Sequence, residues 1–165
     1  IPGHGRAGAD SHLALPVVET AREELSRTDF VPFRHLADMP LAMTAHLVYT
    51  ALDARHPATQ SRRVVRGIIR GEIGFDGLLM SDDSSMNALA GTLGERARAI
   101  ATNGCDIVLH CNGRMDEMTQ VVAAARMLEG RALERAARVE AAFGLLDGLE
   151  ETAVRTEFNS LLPMV

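Results

Sequence analysis

The sequence predicts an α/β fold in which short parallel strands alternate with helices. Three short apolar runs each precede a stretch with helical periodicity, which is the pattern of βα units. Polar residues suited to chemistry, His46, Asp82 and His110, fall at the ends of these runs. Functional residues of a (β/α)8 barrel lie at the carboxyl ends of its strands. Three parallel strands rarely form a complete domain, because parallel sheets are normally larger and covered on both faces. The sequence therefore predicts the C-terminal portion of a TIM-type barrel, incomplete in this chain.

The composition is that of an ordinary globular domain. The chain has 165 residues, of which 47% are hydrophobic and 24% charged, and its formal net charge is -5. This mild acidity argues against nucleic acid as the main partner, because phosphate binding requires clustered Lys and Arg. The apolar runs are well short of the roughly 20 residues needed to cross a bilayer, so no membrane span is predicted. We interpret residues 1–148 as barrel and residues 149–165 as a tail.

The first part of the chain reads as a loop, a helix and a strand. Three glycines and a proline among the first eight residues exclude a helix interior and predict a loop. Thr28 is expected to cap a helix over 29–37, with Pro32 tolerated in its first turn. The chain then breaks at Pro40, and residues 41–45 are predicted as a buried strand that ends at His46.

The middle of the chain predicts the second unit. Ser61 is expected to cap a helix in which arginines occupy the polar face. Residues 74–77 turn the chain into a strand over 78–81, and a helix over 93–103 follows, with Gly104 as its C-terminal cap. The apolar face of the first helix is formed by Val64, Val65, Ile68 and Ile69.

The last part predicts a third strand over 106–110 and two more helices. The first of these is marked by apolar residues at helical spacing, and the second, over 133–146, follows a break at Gly130. The apolar positions of the first are Met115, Met118, Val121, Val122 and Ala125.

Cysteines and histidines do not predict a metal site or another cofactor. Cys105 and Cys111 are expected to be two reduced thiols rather than a disulfide. No two histidines have the His-x-x-x-His spacing. The hypothesis of a metal site therefore rests only on the tight cluster of His4, Asp10 and His12. His4 is expected to brace the loop through a backbone hydrogen bond. His35 and His56 are expected to be exposed and without a role.

Two short segments suggest acid/base chemistry. In the opening loop, Asp10 stands two positions before His12, an arrangement open to an acid/base pair, a surface turn or a metal cluster. Asp82, at the end of the second strand, suits a carboxylate nucleophile, a helix cap or a partner for a backbone amide. The adjacent Asp83 is expected to be structural.

Taken together, the motifs resemble the bacterial β-N-acetylglucosaminidases of glycoside hydrolase family 3. The resemblance spans about residues 1–125. It rests on Ile-Pro-Gly-His-Gly with Ala-Asp-Ser-His, then Met-Thr-Ala-His, Gly-Phe-Asp-Gly-Leu-Leu-Met-Ser-Asp-Asp and Gly-Cys-Asp-Ile-Val-Leu-His-Cys-Asn, in this order.

The resemblance implies a retaining exo-hydrolase that removes terminal N-acetylglucosamine from muropeptides of peptidoglycan recycling in the cytoplasm. It implies that Asp82 is the nucleophile of a covalent mechanism and that His12 is the acid/base residue, with Asp10 as its partner. Histidine has an ordinary pKa of about 6.5, so it can carry a proton near neutral pH. A sugar-pocket role is assigned to three further residues, each with a structural alternative: His46, His110 and Asn112.

One departure from the family concerns the residues that bind the sugar. The family's Lys-His pair directly precedes the position of Ile1, and further sugar ligands belong to the first half of the barrel. We therefore expect this chain to need the missing N-terminal half. Three alternatives stay open: a non-catalytic half-barrel, a metal-dependent hydrolase, and a family 3 β-glucosidase. The glucosidases typically have Ser-Asp-Trp where this chain has Ser-Asp-Asp at 81–83.

Overall fold

The computed structural model describes residues 1–143 and 150–161, and it confirms an α/β fold with parallel strands. The strands are β1 (Val17–Val18), β2 (Leu41–Met43), β3 (Val48–Tyr49), β4 (Leu78–Asp83) and β5 (Ile107–Leu109). The α-helices are α1 (Arg22–Arg27), α2 (Val31–His35), α3 (Leu93–Asn103), α4 (Met115–Ala124), α5 (Gly130–Ala142) and α6 (Glu151–Leu161). A 3₁₀ turn (Ala58–Gln60) and a π-helix (Arg63–Glu72) lie between β3 and β4.

The three predicted strands form one parallel sheet in the order β2-β4-β5. The first pair is in register from Leu41 opposite Leu78 to Met43 opposite Met80. The observed strand ends differ from the predicted ones. Strand β2 is shorter than the predicted 41–45, β5 is shorter than the predicted 106–110, and β4 continues two residues beyond 81. A second parallel pair, β1 with β3, was not predicted because strands of two residues carry no periodic signal.

The core lies between the sheet and the helices that connect its strands. Leu79 of β4 packs with Ile69 of the π-helix and Ile100 of α3, and all three side chains are fully buried. On β2 only Ala42 packs against this core, because side chains alternate along a strand. The prediction that 41–45 is a buried strand is therefore wrong for its other face, where Leu41 is 41% and Met43 39% exposed.

The helix after Ser61 has the predicted apolar face, with a different hydrogen-bond pattern. Val64, Val65, Ile68 and Ile69 are all buried, and Ser61 Oγ accepts a hydrogen bond from the backbone N–H of Val64 at 3.2 Å. The segment is a π-helix rather than an α-helix. Its end shows the wider spacing, since the N–H of Ile73 donates to the carbonyl of Ile68, five residues back.

The expected helix over 29–37 is replaced by two short helices. Thr28 is the C-terminal cap of α1, and its hydroxyl donates to the carbonyl of Glu24, so the prediction that it caps the following helix is wrong. The residue before α2 is Phe30, which makes no side-chain cap, and Pro32 lies in the first turn as predicted. A turn between the two helices lets Phe30 enter the core, where it is fully buried.

The later helices agree more closely with prediction. Helix α3 has the predicted bounds, and Gly104 caps it in the left-handed region at φ +120°. Thr92 and Glu95 close a reciprocal capping box at its start. The predicted helix over 133–146 begins earlier, at Gly130, and its last residues lie outside the described residues.

The stretch predicted as a tail contains helix α6, all of whose described residues are exposed. The boundary at 148 stays a prediction. Within the described parts of the chain, every helix is too short or too polar to span a bilayer.

Candidate active site

The predicted functional residues gather at one edge of the sheet. Because β2, β4 and β5 are parallel, their carboxyl ends lie side by side. His46 follows β2, Asp82 and Asp83 end β4, and His110 follows β5. Strand topology thus brings together residues that are far apart in the sequence.

Asp10 and His12 form a hydrogen-bonded pair in the opening loop. His12 Nδ1 lies 2.8 Å from Asp10 Oδ1, and the backbone N–H of His12 donates to the same oxygen at 2.9 Å. Both side chains are open to solvent, with 75% of His12 and 58% of Asp10 exposed. The hydrogen bonds from His12 lower the pKa of Asp10, and the hydrogen bond and charge of Asp10 raise the pKa of His12. The pair therefore favours a protonated imidazole beside an ionised carboxylate.

Asp82 acts on this pair through its charge. Among the causes that raise the pKa of His12, the negative charges of Asp82 and Asp83 follow the contribution of Asp10. Asp82 is half-buried, and its Oδ1 accepts a hydrogen bond from the backbone N–H of Asp83 at 2.8 Å. It does not cap a helix, because α3 begins after Thr92. Of the two structural alternatives for Asp82, only the contact with a backbone amide is present.

Asp83 serves as a structural tie between neighbouring loops. Its carboxylate accepts hydrogen bonds from the backbone N–H and the hydroxyl of Ser85, at 3.0 and 2.5 Å, and from the backbone N–H of Cys111 at 3.2 Å. Burial opposes its ionisation, yet these hydrogen bonds lower the pKa of Asp83. The carboxylate therefore joins the segment after β4 to the segment after β5.

His46 is fully buried under the same edge. Its Nδ1 lies 2.9 Å from Thr59 Oγ1, and its Nε2 lies 2.9 Å from the backbone carbonyl oxygen of Asp83. Burial lowers the pKa of His46. Since both ring nitrogens contact protein atoms, the geometry favours the structural alternative over a sugar contact.

His110 and Asn112 meet at a carboxylate that the sequence did not single out. Asn112 Nδ2 donates to Glu117 Oε2 at 2.5 Å, and His110 Nε2 lies 3.1 Å from the same oxygen without aligning as a hydrogen bond. The His110 side chain is only 5% exposed, whereas Asn112 is exposed. Glu117 had no signal beyond being an acidic residue in the first turn of α4.

The other histidines and the two cysteines were given no catalytic role by the sequence. The backbone carbonyl of His4 accepts from Ala7 at 3.0 Å, in line with a bracing role. His35 and His56 are both exposed, as predicted, and His56 Nδ1 lies 3.1 Å from Asp53 Oδ2. Both cysteines are free thiols, as predicted. Within residues 1–143 and 150–161, no group of three or more His, Cys, Asp or Glu side chains could hold a metal ion.

Comparison with known proteins identifies the class to which this fold and site belong. The sequence model described as the N-terminal domain of glycosyl hydrolase family 3 matches residues 1–142. The chain belongs to glycoside hydrolase family 3. The match falls within the segment predicted as barrel.

Within the family, the chain is similar to β-hexosaminidases. It is 49% identical to that of Alkalilimnicola ehrlichii over 67% of this chain, and 42% identical to that of Pseudomonas aeruginosa PAO1 over 76% of this chain. These matches cover 33% and 39% of the relatives' lengths, so the chain spans well under half of each.

Solved structures of the family give the same grouping. NagZ from Neisseria gonorrhoeae, in complex with N-trifluoroacetyl-D-glucosamine, superposes with a TM-score of 0.73 at 35% identity, covering 97% of this chain and 44% of that one. A family 3 β-N-acetylglucosaminidase from Paenibacillus superposes with a TM-score of 0.73 at 33% identity, over 91% of this chain and 32% of that one.

Proposed function

We propose that this chain is the C-terminal part of the catalytic barrel of a retaining exo-β-N-acetylglucosaminidase. The observation that carries the proposal is the hydrogen-bonded pair of Asp10 and His12, whose imidazole is influenced by the negative charge of Asp82 near the carboxyl end of β4. It puts a proton carrier and a carboxylate within electrostatic reach of each other. Hydrolysis with retention needs these two functions.

In the first step, a carboxylate oxygen of Asp82 attacks the anomeric carbon of the terminal sugar. The bond to the leaving oxygen breaks, and that oxygen takes the proton carried by His12. The raised pKa of His12 suits this step, because it favours the protonated imidazole that donates to the leaving oxygen. The products are a glycosyl ester on Asp82, a neutral His12 and the free leaving group.

In the second step, the neutral His12 takes a proton from water while the water oxygen attacks the anomeric carbon. The ester bond breaks, and Asp82 returns as a carboxylate. Asp10 holds the imidazole in one tautomer and stabilises its charged form, as the carboxylate of a serine-protease triad does. Because the dyad is largely exposed, we propose that its loop closes over the bound sugar.

The proposed substrate is a β-linked N-acetylglucosamine at the end of a peptidoglycan-derived muropeptide, hydrolysed in the cytoplasm. Support for the N-acyl group comes from the relatives, which include β-hexosaminidases and NagZ bound to N-trifluoroacetyl-D-glucosamine. His110 and Asn112 remain proposed sugar-pocket residues, since both follow β5, the strand that pairs with β4.

The rest of the barrel is proposed to come from the part of the protein that this chain lacks. The relatives are more than twice as long as their matched segments. The exposed side chains of Leu41 and Met43 offer an apolar face for the missing strands. The sugar contacts expected upstream of Ile1 would complete the pocket.

The test is release of nitrophenol from para-nitrophenyl N-acetyl-β-glucosaminide by the full-length protein. Asp82→Asn should abolish turnover, whereas Asp38→Asn should retain it, because Asp38 is exposed before β2 at the opposite end of the sheet. A glycosyl adduct on a peptide containing Asp82, trapped with a slow substrate, would support the covalent step. Full activity of Asp82→Asn would contradict the proposal, as would an inactive wild type.

A further inference from the structure

The strand end that carries Asp82 is irregular. Between Met80 and Asp83 the register of β4 against β5 shifts, since Met80 pairs with Ile107 and Asp83 with Leu109. An advance of three residues along β4 therefore matches an advance of two residues along β5, so β4 has one extra residue, as in a β-bulge. A bulge changes the direction of a side chain and interrupts the strand pairing. Asp82 lies inside this interruption, so strand pairing alone does not fix its backbone.

His46 supplies a contact at this point. Its imidazole is fully buried, and Nε2 lies 2.9 Å from the backbone carbonyl oxygen of Asp83, the residue after Asp82. On the other side of the ring, Nδ1 lies 2.9 Å from Thr59 Oγ1, which lies 2.8 Å from Thr44 Oγ1. The three side chains form a buried line that ends at the bulge.

The carbonyl oxygens around this line limit which atoms can carry the protons. A carbonyl oxygen can only accept, so Nε2 must donate to Asp83. Burial lowers the pKa of His46, which favours the neutral ring with its proton on Nε2. The Thr59 hydroxyl has two acceptors within reach, His46 Nδ1 at 2.9 Å and the backbone carbonyl oxygen of Ala45 at 3.0 Å. Thr59 Oγ1 then accepts from Thr44. In the Nε2–H tautomer Nε2 donates to Asp83, and Nδ1 shares the Thr59 hydroxyl with the carbonyl of Ala45.

The same bulge is held from its other side. The Asp83 carboxylate accepts from the backbone N–H of Cys111, in the segment after β5. Asp83 is thus tied to the β2 side through its carbonyl and to the β5 side through its carboxylate.

We propose that His46 is a positioning residue that fixes the orientation of Asp82 by anchoring the peptide that follows it. This role rests on the proposed function, because it presumes that Asp82 reacts. His46 itself does not touch the sugar. Its loss should slow attack by Asp82 while leaving sugar binding largely intact.

Two matched variants of the full-length protein separate this role from general packing. His46→Gln places an amide nitrogen near the position of Nε2, whereas His46→Asn reaches only the position of Nδ1. We expect His46→Gln to keep most of the wild-type kcat, and His46→Asn to lose about 100-fold in kcat with little change in KM, because small displacements of reacting groups have costs of this size. The loss should be the same for nitrophenyl and dinitrophenyl leaving groups, since it concerns the nucleophile.

Equal kcat for the two variants, or a defect confined to KM, would overturn the positioning role. If His46→Asn fails to fold, heteronuclear NMR of the wild-type imidazole nitrogens decides: a buried histidine protonated at Nε2 is expected, and protonation at Nδ1 instead would overturn the arrangement. An inactive wild type would overturn the proposed function and the positioning role with it. An active wild type with the Nδ1–H tautomer would overturn the positioning role alone.

Discussion

His12 Nδ1 and the backbone N–H of His12 both contact the same oxygen, Oδ1 of Asp10, at 2.8 and 2.9 Å. An aspartate that accepts from the backbone two residues on forms an Asx turn, so the spacing of the pair itself sets the geometry. Because the carboxylate of Asp10 accepts, this contact places a ring proton of His12 on Nδ1. Nε2 is then the atom left to exchange a proton with a substrate.

Replacing Asp10 by asparagine should shift the pH dependence of catalysis. The amide could still accept through its side-chain oxygen, but it carries no charge, so the pKa of His12 should fall from its raised value towards the ordinary one. The protonated imidazole would then be lost at lower pH. The alkaline limb of kcat/KM, measured with a poor leaving group, should move to lower pH. An unchanged limb would mean that another group titrates.

Removing His12 should make activity depend on the leaving group. A general acid contributes about 10²- to 10⁴-fold, so His12→Ala should lose that much with an unactivated sugar leaving group. With dinitrophenol, which leaves without a proton, the first step should be nearly unaffected. The measurement compares pre-steady-state rates for both substrates. Equal losses would exclude the role of leaving-group acid.

Local signals in the sequence were sufficient for some elements. Helix α3 begins and ends where periodicity and Gly104 place it, because both signals act within a few residues. The three strands of the main sheet were also identified, and their carboxyl ends brought His46, Asp82 and His110 to one edge. The family motifs added the pairing of Asp10 with His12.

Features that depend on tertiary contacts could not be predicted in the same way. The enclosure of His46 depends on Thr59, in a 3₁₀ turn thirteen residues further on, and nothing local marks that contact. The link from Glu117 to Asn112 depends on how α4 starts after β5. Thr is a residue type favoured at helix N-caps, but Thr28 ends α1 instead, because the chain turns there and Phe30 enters the core.

The start of β4 leaves no room for a side chain at Gly77. A Cβ there would lie 2.5 Å from the carbonyl oxygen of Met39 and 2.7 Å from that of Pro40. Gly77→Ala should therefore destabilise the protein by about 1–3 kcal/mol, as overpacking does. Gly67→Ala is the matched control, because its Cβ would meet nothing within 4 Å. Urea unfolding of both variants tests this, and equal midpoints would contradict it.

Two aspartates share Arg135 but differ in burial. Asp106 is 7% exposed and accepts from Arg70 at 2.7 Å, Arg135 at 3.1 Å and the backbone N–H of Leu79 at 2.9 Å. Asp76 is 50% exposed and pairs with three arginines, including Arg135 at 2.7 Å. The first pairing is shielded from water and the second is not.

This difference should decide what each carboxylate contributes to stability. Asp106→Ala leaves Arg70, which is 15% exposed, without its carboxylate, and should lower the free energy of unfolding by about 3 kcal/mol. Asp76→Ala removes ion pairs that water already screens, and should cost at most about 1 kcal/mol. Chemical denaturation of the two variants, with salt varied, measures both losses. Similar losses would mean that burial does not determine how much these carboxylates contribute to stability. A salt-independent loss confined to Asp106→Ala would show that the stabilising charge pair is the buried one beside Leu79, at the start of the strand that carries Asp82.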